Sequence, residues 1–118
     1  AAVTDSIQAA GLPDGRYKLG VNDVVVEDGD AKLASNGVRA GSTLTTGQAL
    51  KNLVSFTGQP VERVLPLLTS NPARLIGVDD RKGSIAPGKD ADLVVLDADL
   101  NVRQTYVSGV RVYAGEEE

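Results

Sequence analysis

The sequence predicts an α/β fold that ends in a purely β tail, and three observations predict it. Two β-rich runs early in the chain meet at Glu27-Asp28-Gly29-Asp30, where Asp28-Gly29 supplies residues that tolerate positive φ in a hairpin turn. A helix start follows, with Thr45 as a cap and Gln48 three residues later, leading into apolar residues at helical spacing. Beyond Asp79-Asp80-Arg81-Lys82 the pattern changes to three short strand candidates, 91–96, 102–107 and 110–113. A strand end, a hairpin, helices and then a β tail is an odd order for a self-contained domain of 118 residues. It is a natural order for the last third of a larger one.

In chain order, Ala1-Ala2-Val3-Thr4 is an apolar run that stops at Asp5 and reads as the end of a buried strand. Gly11-Leu12-Pro13-Asp14-Gly15 is a turn cluster. Tyr17-Lys18-Leu19 and Val24-Val25-Val26 are strand candidates, and Ala31-Lys32-Leu33-Ala34 returns as a partner strand. Asn36-Gly37 marks another turn, and Gly41 allows a close backbone approach. The helix capped by Thr45 buries Ala49, Leu50, Leu53, Val54 and Phe56 in one stripe and ends at Gly58. Pro60 suits the first turn of a second helix with Val61, Val64, Leu65 and Leu68 on its apolar face, and Pro66 should kink or shorten it. Asn71-Pro72 reads as a cap and start for a short helix through Ala73, Leu75 and Ile76 to Gly77. Leu93-Val94-Val95-Leu96 reads as a buried strand, Ser108-Gly109 is a two-residue hairpin turn, and Glu116-Glu117-Glu118 is a solvated tail.

Composition narrows the function. Hydrophobic residues make up 42% of the chain, but aromatics only 3%, so the core must be built from Val, Leu, Ile and Ala. The net charge is −4, with 12 basic and 16 acidic residues and no basic run, which argues against nucleic acid as a partner. No apolar run approaches the roughly 20 residues that span a bilayer, so no membrane partner is expected. Cysteine and histidine are both absent, which removes disulfides, thiolate sites, the commonest general base and the commonest metal ligand. Any hydrolytic chemistry must use carboxylates or groups supplied by other polypeptide. Methionine is absent even at position 1, so the chain is expected to be a segment of a longer protein. Gly83, Gly88 and Lys89 suggest a P-loop at first sight, but Asp90 stands where a magnesium-binding hydroxyl is needed, and the stretch leads into a strand rather than a helix.

Asn71-Pro72-Ala73-Arg74-Leu75-Ile76-Gly77, the stretch from Lys82 through Gly83, Pro87, Gly88, Asp90 and Asp92 to Val95, and Val107-Ser108-Gly109 together resemble the C-terminal part of the amidohydrolase superfamily. Val3-Thr4-Asp5, Gly11 to Gly15, Tyr17 to Gly20, Asn36-Gly37 and Ala40-Gly41-Ser42-Thr43-Leu44-Thr45 resemble its N-acetylglucosamine-6-phosphate deacetylase family. The resemblance implies a metal-dependent TIM-like (β/α)8 barrel with a small β-sandwich. A barrel alone takes about 250 residues, so this chain would hold only its last strand, outer helices and some sandwich strands. On that reading 1–80 is the barrel remnant and 81–118 the sandwich strands, with Ala1 to Thr4 left from the last barrel strand. The implied activity is hydrolysis of N-acetylglucosamine 6-phosphate to glucosamine 6-phosphate and acetate. The implied setting is a cytoplasmic homodimer acting on a small-molecule amino-sugar phosphate, with a divalent metal, zinc or iron, in the parent. The segment itself is expected to bind no catalytic metal and to turn over nothing.

The resemblance also implies site residues. Asp5, at the C-terminal end of a barrel strand, would be the general acid/base that takes a proton from metal-bound water and passes it to the departing amine. Without the resemblance, a cap or turn aspartate is the better reading of this residue. Arg39-Ala40-Gly41 lies where the family's loop contacts substrate, with backbone N–H groups beside Gly41 as the contacts; an ordinary glycine-containing loop is the alternative. Arg39 departs from the apolar residue usual there. Arg16, Lys18, Lys32 and Arg39 read as scattered exposed cations rather than a phosphate patch. Asp90 and Asp92 read as structural aspartates at a strand entrance rather than a paired-carboxylate site. Two other functions remain open. One is another amidohydrolase activity, of the dihydroorotase or imidazolonepropionase type. The other is a non-catalytic β-rich interaction module.

Overall fold

The computed structural model describes residues 1–115, in two compact units. Residues 3–49 form one unit, and residues 1–2 with those from Leu50 onward form the other.

The first unit is built on a three-stranded antiparallel sheet in the order β1 (Gly15–Leu19), β2 (Asn22–Glu27), β3 (Asp30–Leu33). Val24 and Val26 are fully buried and Val25 only partly, the two-residue period of a sheet with one covered face. Ala9, Ala31 and Ala40 complete this core, with Ile7, Tyr17 and Leu33 packed against it. The β2–β3 turn is the expected one, with Asp28 at φ 50° and Gly29 at φ 79°. The turn cluster ahead of β1 holds it: the Asp14 carboxylate accepts the Asp28 amide at 2.7 Å and the Gly29 amide at 3.3 Å.

Helix α1 (Thr46–Thr57) starts as its cap dictates, with the Gln48 amide donating to the Thr45 hydroxyl at 3.2 Å. It ends at Gly58, whose positive φ lets its amide close on the Val54 carbonyl at 3.0 Å. In the second unit α2 (Val61–Val64) gives way to a 3-10 turn (Leu65–Leu67) at Pro66, the predicted break. Helix α3 (Ser70–Leu75) follows, and then a second antiparallel sheet in the order β4 (Leu93–Leu96), β5 (Val102–Val107), β6 (Val110–Ala114). Ser108 and Gly109, both at positive φ, form the β5–β6 turn. No helix among the described residues is long and apolar enough to cross a membrane.

Five expectations need correction. Ala1 to Thr4 forms no strand and Val3 is 83% exposed, because no neighbouring strand pairs with this segment; the Ala2 amide bonds instead to the Leu67 carbonyl at 2.8 Å. Leu93 to Leu96 is a strand but not a buried one, since Val94 and Val95, on its opposite faces, are both exposed. Phe56 is 82% exposed; it shares Ala49's side of α1 but lies past Val54, where the covered stretch ends. Pro60 is the residue before α2 rather than within its first turn. Asn71-Pro72 sits inside the first turn of α3, after Thr69 and Ser70, because a proline is tolerated at any first-turn position whose N–H has no helical partner. The tail Glu116 to Glu118 lies outside the described residues.

Candidate active site

Asp5 and Gly41, 36 residues apart in sequence, are adjacent in the structure. The segment around Asp5 lies parallel to the segment around Ser42 through a single bridge between Ser6 and Ser42. The Ser42 amide donates to the Asp5 carbonyl at 2.8 Å, and the Ile7 amide donates to the Ser42 carbonyl at 2.9 Å. Side chains reinforce the bridge on both strands. The Ser42 hydroxyl donates to the Thr4 carbonyl and accepts the Leu44 amide at 3.2 Å, while the Ser6 hydroxyl donates to the Leu44 carbonyl.

This clamp holds Asp5 at φ 55°, left-handed backbone that aspartate tolerates better than most residues. The Asp5 side chain is exposed. Gly41 makes the approach possible. A methyl group placed on it would lie 2.7 Å from Ile7 Cγ2, 2.9 Å from the Asp5 carbonyl oxygen and 3.9 Å from Asp5 Oδ2. Its φ of 70° also favours glycine.

The other two predicted residues behave differently. Ala40 is a core residue, and its amide is taken by the Ala31 carbonyl at 2.9 Å. With the Ser42 amide on Asp5, both N–H groups flanking Gly41 are engaged within the chain. Arg39 is exposed, and its guanidinium stands 3.4 Å from an Asp30 carboxylate oxygen. It faces an open cleft of about 610 Å3 whose lining includes Asp14, Asp30, Gly41, Thr43 and Gln48. Gly41 therefore belongs both to the wall of this cleft and to the seat of Asp5.

The remaining cations form no shared phosphate patch. Lys18 pairs with Asp23 at 2.6 Å, with Arg16 at 3.9 Å from the same carboxylate, and the Lys18 hydrogen bond holds the Asp23 carboxyl below its ordinary value. Asp90 and Asp92 both meet Lys82, at 2.9 Å for Asp90, and Asp92 also accepts the Ser108 amide at 2.9 Å. Asp92 thus ties the loop before β4 to the β5–β6 turn, while Asp90 closes that loop on itself. Lys89 donates to the Asp79 carbonyl at 2.6 Å and the Ser84 hydroxyl at 2.7 Å, so it stitches its own loop rather than reaching for a phosphate. Among the described residues no three His, Cys, Asp or Glu side chains come close enough to hold a metal ion.

Residue-by-residue reading missed Ser6 and Ser42. Ser42 stands in the Ala40-to-Thr45 stretch that carries the family resemblance, which was the one available signal.

The sequence profile described as the amidohydrolase family matches residues 8–112. A protein of Escherichia coli O157:H7 named N-acetylgalactosamine-6-phosphate deacetylase is 43% identical over 107 residues, covering 91% of this chain and 28% of its own length. The crystal structure of N-acetylglucosamine-6-phosphate deacetylase from Thermotoga maritima superposes with a TM-score of 0.86 at 45% identity, over 96% of this chain and 31% of that one. The enzyme of the same name from Pasteurella multocida superposes at 0.87 and 35% identity, over 96% of this chain and 29% of that one. The chain thus spans less than a third of the length of these relatives.

Proposed function

The chain belongs to the amidohydrolase family, and we propose that it is the C-terminal part of a hydrolase that deacetylates N-acetylglucosamine 6-phosphate, releasing glucosamine 6-phosphate and acetate. Residues 1–80 correspond on this reading to the end of a TIM-like barrel and 81–118 to strands of a β-sandwich. The observation that carries the reading is the seat of Asp5: an exposed carboxylate on left-handed backbone, clamped by Ser42 and cleared by Gly41. Strain held by surrounding structure is a recurrent feature of reactive sites.

Amide hydrolysis needs a group that removes a proton from the attacking water and returns one to the leaving amine. In this chain Asp5 takes that role, since a single carboxylate can do both in sequence. Arg39-Ala40-Gly41 contributes the substrate contact through the cleft wall at Gly41 and the Arg39 guanidinium rather than through the flanking amides. A divalent metal, zinc or iron, belongs to the part of the parent outside this chain.

The test is turnover by the full-length protein, following acetate and free amine from N-acetylglucosamine 6-phosphate. The galactosamine epimer, dihydroorotate and imidazolonepropionate run alongside. The glucosamine compound is expected to be the best substrate, and Asp5→Asn to lower kcat by about 10²–10⁴-fold. Preference for dihydroorotate or imidazolonepropionate, or an active Asp5→Asn, would sink the reading. The 118-residue chain alone, with zinc added, is expected to release no acetate.

A further inference from the structure

We propose that Ser42 is the positioning residue for Asp5, an inference that rests on the reading of Asp5 as the acid/base and assigns what holds it in place. Asp5 lies outside the strands of the sheet, so no extended ladder fixes its backbone. Besides the local bond of the Ser6 amide to the Thr4 hydroxyl, what fixes it is one parallel bridge, and Ser42 supplies most of that bridge's hydrogen bonds. Its amide reaches the Asp5 carbonyl, its carbonyl receives the Ile7 amide, and its hydroxyl reaches the Thr4 carbonyl while accepting the Leu44 amide. The two carbonyls ahead of Ser6, those of Thr4 and Asp5, are thereby both anchored on one residue.

The hydroxyl has a specific task. The backbone bonds that join Ser42 to Asp5 and Ile7 would survive any side-chain change, but both lie at or beyond the Asp5 carbonyl. The bond from the Ser42 hydroxyl to Thr4 adds a point upstream of Asp5, and points on both sides define the direction in which its side chain leaves the backbone. The Leu44 amide, held on the same oxygen, keeps the hydroxyl aimed at Thr4 rather than at water. Ser6 repeats the arrangement from the opposite strand through the Leu44 carbonyl. Gly41, immediately before Ser42, keeps the space over Asp5 clear. A displacement of about 1 Å in a reacting group can lower turnover by about 100-fold, whereas substrate binding by other groups is unaffected.

The experiment uses the full-length protein with Ser42→Ala, Ser42→Thr, Ser42→Cys and Asp5→Asn. Product-binding stoichiometry is measured for each, so that turnover is expressed per competent site. Ser42→Ala is expected to lower kcat per site by about 10–100-fold with KM within about threefold of the parent. Ser42→Thr keeps the hydroxyl and is expected to restore kcat to within about threefold of the parent. A purely structural role would reduce the number of competent sites and leave kcat per site unchanged; that result overturns the proposal while the Asp5 reading stands. A fully active Asp5→Asn removes the reading and the proposal together. If Ser42→Ala does not fold, Ser42→Cys, which replaces the hydroxyl by a weak donor of similar shape, decides on the same criteria.

Discussion

Gly83 lies in the loop that carries much of the family resemblance, and its contacts give that glycine a measurable role. It sits at φ 93° against α3, and an alanine methyl there would stand 2.6 Å from Ala73 Cβ, 3.0 Å from the Thr69 carbonyl oxygen and 3.2 Å from Ser70 Cα. Ordinary carbon–carbon contact is at about 3.5–4.0 Å, so the start of α3 would have to retreat by about 1 Å. Gly88, five residues on, is the natural control. Its φ is 87°, but a methyl group there would meet nothing within 4 Å. Both substitutions to alanine carry about 1–2 kcal/mol of left-handed backbone strain. Gly83→Ala adds about 1–3 kcal/mol of overpacking, because what it strikes is backbone and a buried Cβ rather than the end of a flexible chain. The surplus of the first variant over the second isolates the close approach. Native-state hydrogen exchange reads it locally, at the Ala73, Ile76 and Val78 amides that bond to Thr69, Pro72 and Ala73. These should exchange about 5- to 150-fold faster in Gly83→Ala than in Gly88→Ala, the equivalent of that surplus when opening is local. Equal exchange in the two variants would refute the packing argument and leave Gly83 as an ordinary turn residue.

Two further outcomes follow from single contacts. Thr45→Ala removes the oxygen that accepts the Gln48 amide and should destabilise the start of α1 by about 1 kcal/mol, with Thr45→Ser close to neutral; exchange of the Gln48 amide measures both. The Asp92 carboxyl is held below its ordinary value of 3.8, first by the Lys82 hydrogen bond and then by the Ser108 amide. The Lys82 ammonium is raised above 10.5, by Asp92 first and then Asp90. Stability from Asp92 is complete above its unfolded value and disappears as pH falls through the lower folded one. Stability from Lys82 is complete below its unfolded value and disappears as pH rises through the higher folded one. Urea midpoints for the unit that carries β4–β6 should therefore be flat between about pH 5 and 9 and fall at both extremes, with Asp92→Asn flattening the acid side. An acid limb unchanged by Asp92→Asn would contradict the ion pair.

Elements governed by neighbours in sequence were legible, and elements governed by distant partners were not. Asp28-Gly29 and Ser108-Gly109 form the turns they spell, because positive φ at two successive positions is a local requirement. Thr45 with Gln48, and Pro66 in the middle of an apolar stripe, likewise act within one helical turn. Ala1 to Thr4 has the composition of a strand end, yet a strand exists only where another backbone accepts its hydrogen bonds. The same holds for the burial expected of Leu93 to Leu96, which depends on a facing layer rather than on its own residues. The candidate site divides along the same line. Asp5 and Gly41 could be picked out by resemblance, but the bonds between them run from Ser42 to Thr4 and Asp5 and from Ser6 to Leu44. A serine carries no sequence mark of such a task.

Among the described residues four other than glycine have positive φ: Asp5, Asp28, Leu100 and Ser108. Asp28 and Ser108 are explained by two-residue hairpins, where the turn itself demands that backbone. Leu100 is a bulky residue in a costly region, but the loop around it is tied together. Its amide meets the Asp97 carbonyl at 3.0 Å, and the Asp97 carboxylate collects the Asp99 and Asn101 amides at 2.9 Å each and the Arg103 Nε at 2.9 Å. Asp5 alone of the four lies outside a backbone-bonded turn; its one local bond is the Ser6 amide on the Thr4 hydroxyl at 3.3 Å. Residues 35 to 38 positions away in sequence grip its backbone on either side. That contrast governs the choice of variant. Asn occupies left-handed backbone as readily as Asp, so Asp5→Asn preserves the grip and removes only the charge and the proton. Alanine would change conformation and chemistry at once, and a loss of activity could then be blamed on either.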